Sequence, residues 1–207
     1  CIAAWGHAFR PDYLALGSVA TELGRPPVLA LTASASPPVR DEIAERLGMV
    51  DPDVHVTGFH RPGLHLTVDR VADRRAAEEA AIDLATTTPG CGLIYVARRS
   101  DAERLAADLV ERGGAAEPYH GGLTRRRREE VLARFGDDPT LDVVATNAFG
   151  MGIDVPDVRY VLHVEPPESL DAYYQEVGRA GRDGEPARAV CWAARGESSR
   201  RRSTAAA

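Results

Sequence analysis

The sequence predicts an α/β fold, a mostly parallel sheet flanked by helices, and three observations carry that expectation. Short apolar runs of strand type recur at VLALTA (28–33), LIYVA (93–97), DVVAT (142–146), RYVLHV (159–164) and RAVCWA (188–193). Segments with helical spacing and capping residues lie between them, the alternation expected of parallel strands joined by crossover helices. The apolar runs are continuous rather than alternating, which suits strands covered on both faces.

In chain order, the first 57 residues offer one strand, one or two helices and an aromatic-containing loop, too little to close a core alone. Ser36 and Pro37 give an N-cap and a first-turn proline, Val39, Ile43 and Leu47 recur every four residues, and Gly48 ends the helix. The segment GFHRPG (58–63) breaks the alternation with two glycines and a proline, and is expected to be a linker between domains. A helix is expected from Ala76 to about Ala85, ahead of Pro89-Gly90. Ser100 and Glu103 read as a capping box before Leu105 and Leu109, with Gly113-Gly114 as the stop. A last helix is expected over 171–181. Residues 64–195 thus hold enough elements for one complete α/β domain, and the polar tail 196–207 is expected to be disordered.

Composition narrows the function classes. Hydrophobic content of 44% and charged content of 27% are ordinary for a globular chain. No run of 18 or more apolar residues predicts a membrane helix, and no basic-then-apolar leader opens the sequence. Cys1 in place of a methionine implies a start inside a longer protein. Cys1, Cys91 and Cys191 lie far apart, which predicts neither a zinc site nor a disulfide framework and suits a reducing cytoplasm. The net charge of −6 disfavours a general nucleic-acid coat without excluding a local basic groove. All 25 basic residues are arginine, so no lysine is present for a phosphate loop of the G-x-x-x-x-G-K-[ST] kind.

Several stretches can carry chemistry, and each has a plain structural alternative. In GRAGRDG, Arg179 and Arg182 stand three apart; two guanidinium forks on one turn suit a phosphate, or pair with Glu176 and Asp183. ATNAFGMGIDVP follows a strand, where parallel sheets bind ligands, and its Gly150, Gly152 and Asp154 fit an anion and a sugar hydroxyl or a tight solvated connection. CIAAWGHAFRPDY packs Trp5, His7, Phe9, Arg10 and Tyr13 together, for stacking on unpaired bases or for pinning a loop. YHGGL sets His120 beside two glycines as a backbone-tracking site or a structural turn. The run Arg125–Arg128 is followed by Glu129 and Glu130, which favours local ion pairs on a solvated helix.

In this order and spacing the stretches resemble the RecQ family of superfamily 2 DNA helicases, over residues 1 to about 195. CIAAWGHAFRPDY is similar to the family's aromatic-rich loop, which follows its DEAH box. LTASAS is similar to motif III, LIYVARRS more loosely to motif IV, ATNAFGMGIDVPDVRYVLH to motif V and YYQEVGRAGRDG to motif VI. Val96 and Arg98 stand where family members usually carry Cys and Ser, and Ala33-Ser34 replaces the second Ala-Thr of motif III.

The resemblance implies a RecA-like (P-loop NTPase-type) sheet: a complete second helicase domain over 64–195 and the C-terminal piece of the first over 1–57. It implies a role in an ATP-dependent, 3′–5′ DNA helicase that translocates on single-stranded DNA and unwinds duplex in repair and recombination, in the cytoplasm at the nucleoid. Arg182 becomes the expected arginine finger, with Arg179 supporting it and Gln175 coupling the γ-phosphate to closure. Asp154 and Gly152 join the two arginines in binding ATP. Trp5, His7, Phe9, Arg10, Thr32, Arg99, His120, Thr146, Asn147 and Phe149 are expected to contact DNA or couple it to the nucleotide. ATP with Mg²⁺ is the implied cofactor, held mainly by a preceding N-terminal RecA-like domain whose Walker A and DEAH motifs are not in these 207 residues; alone, the chain is expected to be inactive. A noncatalytic nucleic-acid-binding module and an RNA helicase of the same superfamily are the alternatives.

Overall fold

A sheet needs neighbours for its hydrogen bonds, and this requirement decides which apolar runs become strands. The computed structural model describes residues 12, 15–32, 35–56, 61–149, 155 and 157–194. Its contacts divide into two units, Cys1–His60 and Arg61–Ala207.

In the first unit, α1 (Leu16–Glu22) and α2 (Pro37–Leu47) are described. Ser36 occupies the N-cap of α2 without a side-chain capping bond, and Gly48 closes the helix at a φ of 63°. The two helices approach closely at Gly17, where a Cβ would lie 2.3 Å from the Arg46 carbonyl oxygen. The expected strand at VLALTA does not form over its described residues 28–32. These residues pair with no ladder, and Leu29 and Leu31 are 81% and 85% exposed. The run has strand composition, but no described residue supplies a neighbouring strand.

The second unit holds six parallel strands: β1 (Leu64–Val71), β2 (Gly92–Tyr95), β3 (Ala115–Tyr119), β4 (Leu141–Ala145), β5 (Tyr160–His163) and β6 (Ala187–Ala194). They lie in the order β1-β6-β5-β2-β4-β3. Four of them coincide with the continuous apolar runs at 93–97, 142–146, 159–164 and 188–193. The two edge strands are additional. β1 alternates Leu64, Leu66 and Val68 with His65, Thr67 and Asp69, and as an edge strand it leaves Leu66 and Val68 exposed. β3 contains Pro118, which an edge strand tolerates because one side of it needs no donor.

Four helices, α3 (Arg74–Thr87), α4 (Arg99–Glu111), α5 (Arg125–Asp137) and α6 (Leu170–Val177), cover the sheet. Asp73 caps α3 by accepting from Ala76 N at 2.9 Å, and Thr124 and Ser169 cap α5 and α6 in the same way. The capping box expected at Ser100 and Glu103 is absent: α4 starts at Arg99, so Ser100 is already inside the first turn. Glu103 instead meets His120, 3.1 Å from its Nε2. The last helix stops at Val177, four residues before the expected end, and Gly178–Asp183 continues as turns. On α5, Arg125 and Arg126 form the anticipated pairs with Glu129 and Glu130, while Arg127 and Arg134 both reach the buried Glu117 of β3.

Alternate strand residues face opposite cores. Leu93, Tyr95, Val143, Ala145 and Val161 pack with Val131 and Phe135 of α5 and Val177 of α6. Ile94, Val144, Leu162 and Val190 pack with Ala81, Ile82, Leu105 and Leu109 of α3 and α4. Each fully buried aliphatic side chain contributes about 1.5–3 kcal/mol, so two such layers hold the sheet as the middle of a three-layer sandwich. At Gly92 a Cβ would fall 1.8 Å from the Tyr160 ring, and only glycine lets that ring cross the sheet here.

The Tyr160 hydroxyl lies 2.5 Å from Asp142 Oδ1, which also accepts from Gly92 N at 2.8 Å. Burial pushes the Asp142 carboxyl up to about 7, against the lowering effect of those two hydrogen bonds. A carboxyl raised in the folded state binds its proton more tightly there than in the unfolded chain. Its contribution to stability is therefore full below about pH 4 and declines as pH rises to about 7. Asp142→Asn keeps an acceptor oxygen and cannot ionise. Urea melts across that window should show wild-type stability falling relative to the variant as pH rises; parallel profiles would contradict this assignment.

Candidate functional site

All six strands are parallel, so the loops that leave β2, β3 and β4 emerge on one edge. There Tyr95, Ala145 and Tyr119 stand in register. Thr146 continues the ladder by donating its backbone N–H to Tyr119 O at 3.1 Å, and Phe149 N donates back to Thr146 O at 3.0 Å, closing a tight turn. The turn leaves Asn147 exposed and Thr146 buried. His120 is also buried: its Nε2 lies 3.1 Å from Glu103, and its Nδ1 accepts from Gly122 N at 3.2 Å. The Arg99 guanidinium lies against Gly122, 3.2 Å from where a Cβ would stand. The edge therefore presents an exposed arginine, an exposed amide and two small glycines, a surface suited to the sugar-phosphate backbone of a nucleic acid.

From this edge the chain turns onto the α5/α6 face of the sheet. Phe149 is 1% exposed and meets Tyr119 and Phe135 edge to face, with ring centroids 4.9 and 5.9 Å away. The Tyr95 hydroxyl donates to Phe149 O at 3.3 Å. Above the ring lies Arg179, its guanidinium carbon 5.8 Å from the centroid, within cation–π range. Burial raises the Tyr95 phenol well above its ordinary value, and the charges of Arg179 and Arg182 work against that rise. His163 stacks on Tyr95 at 5.2 Å and meets Glu176 Oε2 at 2.7 Å, tying the end of β5 to α6.

The turn after α6 is framed from outside. Arg61 donates from Nη1 to Gly178 O at 2.8 Å and from Nη2 to Gly181 O at 2.6 Å. Arg159 donates to Pro186 O at 3.1 Å and pairs with Asp183, holding that carboxyl below its ordinary value. Gly181 N donates to Val158 O at 2.9 Å. At Gly181 φ is 60° and a Cβ would sit 2.8 Å from Glu185 O, so the turn requires glycine. The carboxylates weighed as partners for the two site arginines are engaged elsewhere, Glu176 with His163 and Asp183 with Arg159. Arg179 and Arg182 border an apolar crevice lined by the buried Leu93, Phe135, Phe149 and Val158 and too tight to admit water. Arg182 is exposed and Arg179 half-buried. An exposed guanidinium beside a second one suits phosphate oxygens arriving from solvent.

The model of the helicase conserved C-terminal domain matches residues 76–184, more than half of the chain. The chain belongs to that family. It is 38% identical over 198 residues to the probable ATP-dependent DNA helicase RecS of Bacillus subtilis, covering 95% of this chain and 40% of the relative. It is 41% identical over 190 residues to the ATP-dependent DNA helicase RecQ of Pasteurella multocida, covering 92% of this chain and 30% of the relative. The resemblance to RecQ helicases read from the motifs is thus a relationship over most of the chain, which spans less than half of these relatives' length. The structure of S. cerevisiae Dbp5 bound to RNA and ADP BeF3 superposes with a TM-score of 0.73 at 19% identity, over 96% of this chain and 52% of that one. The fold is the RecA-like α/β fold.

Within the family frame, Arg179, Arg182 and Phe149 come together, while Arg99, His120, Thr146 and Asn147 gather on the carboxyl edge of the sheet. Gln175 is exposed on α6. Thr32 is exposed in the first unit. His120 is buried, held by Glu103 and the Gly122 backbone, and Phe149 is buried under Arg179. Trp5, His7, Phe9, Arg10, Gly152 and Asp154 lie outside the described residues. No group of three or more His, Cys, Asp or Glu able to hold a metal occurs among the described residues. Arg61, Tyr95 and His163 escaped sequence reasoning, and Glu176 was read only as a partner for the two arginines; Arg61 lay within a segment valued only for its glycines and proline.

Phe149→Ala should cost about 3–5 kcal/mol, the usual loss for emptying a well-packed aromatic site. Urea unfolding of the chain measures it; a loss below about 1 kcal/mol would show that the ring does not anchor the loop.

Proposed function

We propose that this chain is the arginine-bearing part of an ATP-dependent DNA helicase of RecQ type. Arg182, exposed at the crevice, would act as the arginine finger on nucleotide phosphates held by a preceding helicase domain, with Arg179 beside it and Gln175 coupling the γ-phosphate to closure. Spreading of charge over a transferring phosphoryl group is what such guanidiniums neutralise. Gly152 and Asp154 are assigned to the nucleotide by resemblance alone. Arg99, Asn147 and the glycines beside His120 would follow the DNA backbone, the buried Thr146 would link that edge to the nucleotide, and Thr32 and the aromatic loop Trp5–Arg10 would make DNA contacts of their own. The ATP, again by resemblance, would carry Mg²⁺, with phosphates and metal held mainly by that preceding domain. By the same resemblance the intact protein would translocate 3′ to 5′ on single-stranded DNA, unwind duplex in repair and recombination, and work in the cytoplasm at the nucleoid. This chain by itself would be inactive.

The observation that supports the reading is the stack of Arg179 on Phe149. It joins the loop beside the backbone-contacting edge to the turn that carries both arginines. An RNA helicase of the same superfamily is the second reading; the WGHAFRP segment, particular to the resemblance to RecQ proteins, disfavours it.

ATP hydrolysis should be measured for the chain alone, with single-stranded DNA or RNA, and after addition of a separately expressed first domain from a RecQ-type relative. Silence alone, DNA-stimulated activity on addition, and a loss of about 10³-fold or more in Arg182→Ala are expected. Activity from the chain alone would overturn the division of labour.

A further inference from the structure

Arg61 is the first residue of the second unit and lies within the GFHRPG segment, 58–63. Among the described residues its guanidinium binds no carboxylate. Both of its terminal nitrogens donate to carbonyl oxygens of one turn, Gly178 at 2.8 Å and Gly181 at 2.6 Å. Those two carbonyls bracket Arg179 and immediately precede Arg182. A planar fork satisfied at two points fixes the turn in orientation as well as position, which a single ammonium cannot do. The chain after Arg61 is tied to the same place: Leu64 N donates to Arg61 O at 3.0 Å, and Ala187 N donates to Gly63 O at 2.9 Å. The turn is therefore closed at both ends by the segment through which the chain enters the second unit.

We infer that Arg61 is a positioning residue for the site arginines: its bidentate grip on the Gly178 and Gly181 carbonyls sets where Arg179 and Arg182 point toward a nucleotide polyphosphate. The inference deepens the helicase reading and rests on it. Charge is not its essence. The two carbonyl acceptors require two donors at fixed separation, so lysine, with the same charge at one point, restores the grip only in part.

Two measurements test it. Amide hydrogen exchange on the chain alone reports the turn itself, in wild type, Arg61→Ala and Arg61→Lys, with Arg126→Ala as an exposed control. Exchange over residues 178–186 should quicken about tenfold or more in Arg61→Ala, less in Arg61→Lys and not in the control, while β2 and β4 keep their protection. The second is ATP hydrolysis by the chain with the added first domain. Arg61→Ala should lower kcat about 10²-fold with KM for ATP changed by less than about threefold, since misplacing a catalytic group by about 1 Å suffices for such a loss. Arg61→Lys should recover part of it. Unchanged exchange at 178–186, or protection lost equally across the sheet, would overturn the inference, as would equal kcat for wild type and Arg61→Ala. A wild-type pair that shows no hydrolysis would count against the helicase reading, and the exchange data would still decide whether Arg61 holds the turn.

Discussion

The Arg179 guanidinium over the Phe149 ring is the cationic contact in the core that joins the loop after β4 to the turn after α6. Phe149 belongs to the loop leaving β4 and is locked by Tyr119, Phe135 and the Tyr95 hydroxyl. Arg179 belongs to the turn after α6. A cationic fork over a buried ring, with an apolar crevice beside it, cannot shift without exposing the ring or losing the contact. A movement of the loop is therefore felt by the turn, and the Arg182 side chain three residues on shares the consequence. The same ring explains why an arginine can sit half-buried on an apolar face: the π-system takes the place of part of its hydration.

The turn illustrates how arginine serves two purposes in a chain without lysine. Arg61 and Arg159 spend their donors on backbone carbonyls and on Asp183, and so act as struts. Arg179 and Arg182 line the crevice. Struts of this kind keep a short turn, constrained by Gly181 in the left-handed region, from relaxing when a charged ligand pulls on it. Preorganisation of cationic groups is worth most when they do not have to be reoriented at the moment of reaction.

Much of this was legible in the residues. Continuous apolar runs located β2, β4, β5 and β6, and capping and stop residues located α2 and the end of α4. The misses have physical causes. VLALTA has strand composition, yet a strand is a property of a ladder, and none of the described residues supplies one. β1 and β3 are edges whose alternation and proline hide them from a search for buried strands. The capping box at Ser100 failed because α4 starts a residue earlier than its sequence signal, with Arg98 at the N-cap, and Glu103 meets a buried histidine instead. At the site, the pairing of Arg179 with Phe149 and the grip of Arg61 on Gly178 and Gly181 are contacts across 30 and 117–120 residues. Spacing along the chain carries no signal of such contacts, so the sequence showed which residues had the right chemistry and left open which of them meet.

The claim that the loop after β4 and the arginine turn are one packed body is tested most directly by a double-mutant cycle. Phe149→Leu, Arg179→Met and the double variant would be compared by urea unfolding of the chain. The stack predicts that the two changes are non-additive, with a coupling of about 0.5–1.5 kcal/mol. Additivity within about 0.3 kcal/mol would mean that the ring and the guanidinium are merely neighbours, and the link between the two site segments would have to be sought elsewhere.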